Sequence, residues 1–372
     1  GQTGKVTFPP YAARDMYSVT LEQYTTGYGA NLIAMGNTNL RWEKKNSLDV
    51  GFDGVFFNNN LSLAATYYRE RTQDLITTMT IPSSSGFKTY LNNVGEVENT
   101  GFEANMRWVA LRSKNLSLSV FGNMSHNRNR IMHISEAMEE YNKRIDAFFS
   151  VYDRESDAGK ANMKFAKSYA KYEEGGSLTS IFGMQSMGIN PADGKEIFLD
   201  RNGNPTYQWS SPDQVIIGNT EPELRGSFGF YVQWKQFSVN TSFLYEFGAD
   251  RYNNTLVQYV ENANIIDFNA DRRVLTQRWK QPGDITPLKN IADRKIITRS
   301  TSRFVQQYNA LNILSLSLGY DLPVATVKKM GLSMARLQFN TNDLTTLSTV
   351  LQERGLDYPF ARTFNLTLNL TL

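Results

Sequence analysis

The sequence predicts an all-β protein, specifically an antiparallel β-barrel that spans a membrane, from three observations. Apolar side chains alternate with neutral polar ones along most predicted strands, as they do where one strand face meets lipid. Tight turns alternate with long connections, which is typical of bacterial barrels. Hydrophobic residues make up 41% of the 372 residues, yet mean hydropathy is only −0.42. No run approaches the roughly 18 apolar residues that a membrane-spanning helix needs.

The clearest alternation lies in two segments joined by a two-residue turn at Lys235-Gln236. This turn pairs Trp234 with Phe237 and Val232 with Val239, because the alternation changes phase across it. One face of the resulting hairpin is almost entirely apolar. We expect this face to contact lipid through Phe228, Phe230, Val232, Trp234, Phe237, Val239 and Phe243.

Two further hairpins follow the same rule. A turn at Asn58-Asn59 pairs Phe56 with Leu61 and Phe52 with Ala65, and asparagine tolerates the positive φ that such turns need. A turn near 113–115 joins the strand over 102–108 to the strand over 116–120. Repeated hairpins of this kind indicate an antiparallel sheet.

The C-terminal residues alternate most regularly, and Thr and Asn separate the apolar positions. The predicted lipid-facing positions of this terminal strand, over 362–372, are Phe364, Leu366, Leu368 and Leu370. A soluble β-sandwich also alternates, but it usually exposes charged residues on its outer faces. The neutral polar face favours the barrel, and the sandwich stays open as the alternative.

Long connections are expected at roughly 71–99, 127–177 and 250–309, and residues 1–45 are expected to form an outer loop region. The connection at 127–177 should contain a short helix. Its apolar positions have helical spacing and are Ile134, Met138, Tyr141, Ile145 and Phe149. About 11 strands are predicted, and because bacterial barrels close with an even number, further strands are expected before Gly1.

Several segments in this order resemble the SusC-like (SusC/RagA) branch of TonB-dependent outer-membrane receptors. They span nearly the whole chain and include Asn39-Leu40-Arg41-Trp42-Glu43, Asn92-Asn93-Val94-Gly95, Glu98-Asn99-Thr100-Gly101-Phe102-Glu103, Ile217-Gly218-Asn219 and Pro282-Gly283-Asp284. No single segment is decisive, but their order and spacing together are specific.

The resemblance implies the C-terminal portion of a barrel of about 22 strands, whose N-terminal plug domain is absent from this chain. It implies a bacterial outer-membrane protein that imports oligosaccharides or peptides. The implied partners are a SusD-like surface lipoprotein that acts as a lid, the TonB complex acting through the plug, and outer-membrane lipids. It implies neither a cofactor nor an enzymatic step.

Candidate substrate-binding residues are Trp209 and Trp279, which lie in predicted loops. Each indole could stack on a sugar ring or could pack loops together. The run Asp200-Arg201-Asn202-Gly203-Asn204 resembles a degenerate calcium loop but lacks the further acidic residues and the distal Glu of an EF-hand, so a polar turn is the preferred interpretation.

The sequence offers little for catalysis or metal binding. It has no cysteine, and its two histidines are His126 and His133, a poor spacing for a shared metal site. The carboxylate pairs Glu96/Glu98 and Glu173/Glu174 are explained by surface solvation. We therefore expect no catalytic residue, no metal site and no cofactor. A net charge of +3 is too small to indicate nucleic-acid binding. The alternatives are a passive barrel adhesin and a soluble β-sandwich that binds or hydrolyses carbohydrate.

Overall fold

A computed structural model describes residues 2–5, 11–24, 27–80, 87, 89–152, 170–263, 270–295, 297–351 and 361–372. Its main feature is one antiparallel sheet of ten strands. In spatial order these are β1 (Gln2–Lys5), β4 (Glu43–Phe56), β5 (Leu61–Thr80), β6 (Thr89–Arg112), β7 (Leu116–Ile134), β13 (Leu224–Trp234), β14 (Phe237–Tyr252), β15 (Val305–Asp321), β16 (Met334–Ser348) and β17 (Phe364–Thr371).

Smaller elements lie in the connections. The remaining strands are β2 (Met16–Tyr24), β3 (Gly27–Ala34), β8 (Ser180–Gly183), β9 (Gln185–Ile189), β10 (Glu196–Leu199), β11 (Pro205–Thr206) and β12 (Val215–Asn219). The helices are α1 (Glu136–Tyr152), α2 (Arg273–Thr276) and α3 (Val324–Lys329), with a π-helix over Leu256–Glu261 and 3₁₀ turns over Ile291–Lys295 and Ser302–Phe304. None of the described helices is long and apolar enough to cross a membrane.

The predicted hairpin registers are confirmed. Trp234 lies opposite Phe237 and Val232 opposite Val239, and Lys235 in the turn has a φ of 50°. In the second hairpin Phe56 lies opposite Leu61, as expected. Its connection is longer than the two residues predicted, because the four residues 57–60 lie outside both strands. Asn58 and Asn59 both have positive φ there, and so does Phe57.

The predicted long connection at 71–99 is wrong. β5 continues to Thr80 and β6 begins at Thr89, so most of that region belongs to two long strands. Ion pairs between these neighbouring strands, such as Arg69–Glu98 at 2.8 Å and Arg71–Glu96, take the place of apolar alternation. Charged cross-strand pairs hide the period of two in the sequence.

Two of the predicted loop regions contain strands in the structure. In the predicted loop 127–177, residues up to Ile134 belong to β7, and residues 153–169 lie outside the described part. In the region 1–45, the hairpin of β2 and β3 occupies much of the described chain. An outer loop can contain such a hairpin, so the outer location of this region stays a prediction.

The two faces of the main sheet differ in chemistry. One face, here called the apolar face, is aligned across nine strands by the registers. A single row of facing residues runs through Phe56, Leu61, Trp108, Val120, Phe230, Thr241, Leu316, Thr341 and Phe364. The opposite face, here called the polar face, has a corresponding row through Ser119, Tyr231, Asn240, Ser317, Asn340 and Asn365.

This arrangement decides between the two predicted fold classes. In the described part of the chain, the apolar face remains exposed and is not covered by a second sheet. The alternative, a β-sandwich, is therefore wrong, because a sandwich would bury these side chains between its sheets. The sheet has the all-β architecture of a membrane barrel wall, with apolar residues on one face and polar residues on the other.

The connections form their own hydrophobic core, here called the loop core. Helix α1 contributes the face that the sequence predicted, with Met138, Tyr141, Ile145 and Phe149 all buried. Met184, Phe198 and Trp209 from later connections complete this cluster. A second cluster contains Val257, Val260, Ala263, Val274, Leu288 and Phe304.

Candidate functional site

The eleven residues predicted to face lipid all lie on the apolar face, and none of them is buried. Strand β17 lies at the end of the sheet order beside β16, and its Leu366 is 71% exposed. Leu366 lies opposite Phe339, which in turn lies opposite Leu318. The apolar surface is therefore continuous from β15 to β17. Contact of these eleven residues with lipid stays a prediction.

The polar face carries a network of neutral hydrogen bonds. Gln338 donates to the Ser317 hydroxyl at 3.0 Å, and the Ser242 and Ser315 hydroxyls are 2.6 Å apart. Asn123 donates to the Ser227 hydroxyl at 2.8 Å. Such groups keep free lone pairs and protons for water or for a polar solute. This face can line an aqueous passage without presenting a strong field of one charge.

A shallow cavity of about 330 Å³ lies at the sheet and is lined by Arg107, Ser119, Val120, Phe121 and Tyr231. The ring of Phe121 lies across Gly229, where an added Cβ would come within 2.5 Å of the ring. The atom nearest to such a Cβ would be the backbone carbonyl oxygen of Thr241, which cannot rotate away as a ring can, so glycine is required here. The cavity brings one guanidinium and two aromatic rings together, which sequence spacing alone did not reveal.

Trp209 and Trp279, the predicted substrate-binding residues, are both buried among the connections. The indole N–H of Trp209 donates to the Ser300 carbonyl at 2.9 Å, and that of Trp279 donates to the Pro191 carbonyl at 2.8 Å. Trp209 also meets Phe149 edge to face, with ring centroids 5.3 Å apart. These contacts are those of loop packing. A sugar ring would reach either indole only if neighbouring side chains moved, so substrate contact by the tryptophans stays a prediction.

A buried ion-pair network joins three connections. Arg303 binds Glu196 at 2.8 Å and Glu261 at 2.6 Å, and all three side chains are buried. The Thr301 hydroxyl donates to Glu196 at 2.7 Å. Although burial opposes it, the two carboxylates raise the pKa of Arg303 above its usual range. The guanidinium is therefore a permanent cation that holds β10, the π-helix and the start of β15 together.

Sequence reasoning missed this network, because the partners are far apart along the chain. Arg303 lies 42 residues from Glu261 and 107 residues from Glu196. Single charged residues in polar connections look like solvated surface groups, and nothing local marks them as buried. Nearby, Lys289 is also buried, and desolvation lowers its pKa even though Asp293 lies 3.4 Å away.

The degenerate calcium-like run forms a turn closed by its own aspartate. Asp200 accepts hydrogen bonds from the backbone N–H groups of Asn202 and Asn204, each at 2.8 Å. Hydrogen bonds from Asn204 lower the pKa of the Asp200 carboxyl. Gly203 has a φ of +81°, which explains the glycine at that position. Within the described residues no group of three or more His, Asp or Glu side chains could hold a metal ion.

The two histidines contact different groups. His126 contacts the Glu223 carbonyl, whereas His133 pairs with Glu174 at 2.8 Å. A hydrogen bond from the backbone N–H of Ile134, followed by the contact with His133, lowers the pKa of Glu174. The carboxyls of Glu96 and Glu98 are paired with arginines of β5. These contacts are structural pairings between neighbouring strands and connections.

Comparisons with known proteins agree with this architecture. Residues 7–147 match the family model described as "TonB dependent receptor-like, beta-barrel". The chain is 27% identical over 369 residues to TonB-dependent receptor P3 of Formosa agariphila, covering 97% of this chain and 35% of that protein. It is 24% identical over 259 residues to TonB-dependent receptor SusC of Bacteroides thetaiotaomicron, covering 66% of this chain and 24% of that protein.

A solved structure shares the fold. The RagAB peptide importer in its "open-open" state matches with a TM-score of 0.70 at 20% identity, covering all of this chain and 39% of the matched chain. The chain spans about a third of the length of TonB-dependent receptor P3, and about a third of a second Formosa agariphila relative, TonB-dependent receptor P39. With an apolar and a polar sheet face and these matches, the chain has the β-barrel architecture of TonB-dependent receptors. It is homologous to SusC and to the Formosa receptors, whose barrels lie in the outer membrane.

Proposed function

We propose that the protein to which this chain belongs imports oligosaccharides or peptides across the bacterial outer membrane. The single observation that carries this proposal is the two-faced sheet. Its apolar face suits lipid, and its polar face offers hydroxyl and amide groups to a hydrated passage. Sugars and peptides both present hydroxyls or amides, so the polar face suits either class of cargo.

The proposed topology places the tight turns in the periplasm and the long connections outside the cell, as in other bacterial barrels. Residues 1–45 and the connection that contains α1 are then extracellular, and β17 within 362–372 runs towards the periplasm. The loop core and the Arg303 network give the extracellular connections a defined shape. Ordered loops of this kind are suited to selecting cargo.

The proposed partners follow from the family. The TonB complex would supply energy through a plug domain, and a SusD-like surface lipoprotein would close over the extracellular loops. SusC and the RagAB importer are the relatives that support this assembly. RagAB is itself a peptide importer. The cargo of this protein stays open between glycan and peptide.

We propose no catalytic step. Two buried carboxylates of the connections, Glu196 and Glu261, are both ion-paired with Arg303. Glycoside cleavage by a pair of carboxyls requires one of them to donate or accept a proton beside a bound sugar. Carboxylates engaged in a buried ion pair are poorly suited to that role, so capture and passage are non-covalent.

The proposal is tested by uptake in the native host with fluorescently labelled oligosaccharides and peptides. We expect accumulation of one cargo class to require both the receptor gene and a functional TonB. Loss of the receptor alone should abolish accumulation without changing surface binding of unrelated ligands. Surface binding that persists without accumulation, or accumulation unaffected by deletion of TonB, would instead identify a passive barrel or adhesin.

A further inference from the structure

The tight-turn end of the sheet carries a set of exposed lysines beside aromatic residues of the apolar face. Lys114 lies in the connection between β6 and β7, and Lys235 lies in the connection between β13 and β14. Lys328 and Lys329 end the short helix α3 between β15 and β16. All four are exposed, and none forms an ion pair within the described part of the chain.

These connections lie next to each other. The backbone N–H of Lys235 donates to the Asn115 carbonyl at 2.8 Å, which joins the first two turns. The backbone N–H of Asp321 donates to the Gln236 carbonyl at 2.9 Å, which joins the next pair. The four lysines therefore belong to one continuous edge of the sheet.

The acidic residue on this edge is compensated. Asp321 pairs with Arg336 at 3.6 Å, and Arg336 also donates to the Ser238 hydroxyl at 2.7 Å. The four lysines therefore leave this edge with an excess of positive charge. An excess of one sign on a surface attracts a partner of the opposite sign, over roughly the 8 Å Debye length at physiological salt.

Aromatic rings of the apolar face lie directly beside this edge. The ring centroids of Trp234 and Phe237 are 6.4 Å apart, and those of Phe237 and Tyr320 are 4.7 Å apart. The ammonium group of Lys235 lies 5.8 Å from the centre of the Trp234 ring. Trp and Tyr favour the level of lipid headgroups, because their rings are apolar and carry a polar group.

We propose that this edge binds anionic phospholipid headgroups, with the phosphates at Lys114, Lys235, Lys328 and Lys329 and the acyl chains against Trp234, Phe237 and Tyr320. A ligand that contacts both sets must carry a negative charge at one end and hydrocarbon at the other. A soluble anion or an acidic protein would match the lysines but would leave the row of rings uncovered. The exposed Val324 and Met330 at the two ends of α3 extend the apolar part of this surface.

The test compares phosphatidylglycerol with phosphatidylcholine of identical acyl chains, offered in equal amounts to the full-length receptor in mixed micelles. Native mass spectrometry counts the lipids of each type that remain bound. We expect the receptor to favour phosphatidylglycerol. Replacing all four turn lysines by glutamine should lower the bound ratio of phosphatidylglycerol to phosphatidylcholine at least about fivefold. A single lysine near an anionic surface already strengthens binding by about fivefold.

A matched control removes the same charge from the other end of the molecule. Lys44, Lys143, Lys195 and Lys280 are also exposed, and their replacement by glutamine should change the ratio by less than about twofold. A variant with arginine at the four turn positions should keep the preference. Equal retention of the two lipids by the unmodified receptor, or an equal loss in the control variant, would overturn the proposal.

Discussion

The sheet and the loop core place their apolar residues in opposite ways. In the sheet, Leu366 and Leu368 are more than half exposed, whereas Met138 and Phe149 in the loop core are almost fully buried. Phenylalanine shows both extremes within one chain, since Phe364 of the sheet is 57% exposed and Phe149 of the loop core 3%. The predicted lipid contact of the sheet accounts for the difference, because hydrocarbon lipid removes the cost of exposing apolar side chains and water does not.

Charged residues follow the same division. On the sheet, arginines and glutamates pair across neighbouring strands where β5 meets β6, and the arginine side chains remain well exposed. In the connections, Arg303 is buried between two carboxylates. The connections therefore resemble a water-soluble domain built on the end of a membrane sheet. Substitutions in the two regions should therefore differ in the size of their effect.

The largest effect is expected from Arg303→Met. This change leaves Glu196 and Glu261 buried without their cation, and breaking a buried ion pair costs roughly 3–5 kcal/mol. Native-state hydrogen exchange of amides in the connections should show a loss of opening free energy of that size, whereas the exchange of amides in β16 should stay unchanged.

The control for this prediction removes the whole network. A triple variant, Glu196→Gln with Glu261→Gln and Arg303→Met, carries no buried charge at these positions and should recover much of the lost opening free energy. If Arg303→Met alone leaves exchange in the connections unaltered, then the network does not hold them together.

The next effect is expected on the apolar face. Leu366→Arg places a cation where we predict lipid, which costs roughly 2–4 kcal/mol near the middle of a membrane. Equilibrium unfolding of the receptor in phospholipid vesicles measures this loss. Detergent micelles should reduce it, because water reaches the surface of a micelle more easily.

The matched control for Leu366→Arg lies one residue along the same strand. Thr367 lies on the polar face opposite Gln338, so Thr367→Arg should cost less than about 1 kcal/mol. The comparison is independent of the intrinsic preference of arginine for strands. Equal losses at 366 and 367 would contradict the assignment of the two faces.

The sequence supports these face assignments because alternation is a local property. The hairpins around Lys235 and Asn58 could be predicted with the correct registers, and so could the buried face of α1. The long strands β5 and β6 could not be predicted in full, since ion pairs interrupt their alternation.

The site was less predictable than the fold. The cavity at Arg107 and the network at Arg303 depend on contacts between strands and connections distant in sequence. Trp209 and Trp279 were correctly placed in connections, but a single sequence gives no sign of whether an indole in a loop is exposed or buried. Their burial depends on how separate connections pack.

A smaller effect is expected from Trp209→Phe. The change removes the hydrogen bond to the Ser300 carbonyl, and that carbonyl keeps a second donor in the backbone N–H of Met184. The opening free energy of the connections should therefore fall by only about 1–2 kcal/mol.

Cargo affinity, measured by isothermal titration calorimetry on the full-length receptor, distinguishes packing from substrate contact. A large loss of affinity without a loss of stability would favour direct contact, and Trp279→Phe provides the parallel test.

The smallest effect is expected at the turn formed by Asp200. Hydrogen bonds from Asn204 depress the pKa of this carboxyl, so its stabilising contribution is present above the unfolded value of about 3.9 and is lost as the pH falls below it. The backbone amide hydrogens of 202–204 should then exchange with solvent faster at low pH than their intrinsic rates predict. Asp200→Asn should remove this dependence of the exchange on pH.

The same turn also distinguishes a calcium loop from a self-contained turn. One Asp200 oxygen accepts two backbone N–H groups, and the other accepts the Asn204 amide at 3.1 Å. Calcium would have to displace these donors and would find too few further carboxylates nearby. We therefore expect millimolar calcium to leave amide exchange at 202–204 unchanged at neutral pH. Protection that rises with calcium and disappears in Asp200→Asn would show instead that this exposed connection recruits a cation, unlike the buried carboxylates that pair with Arg303.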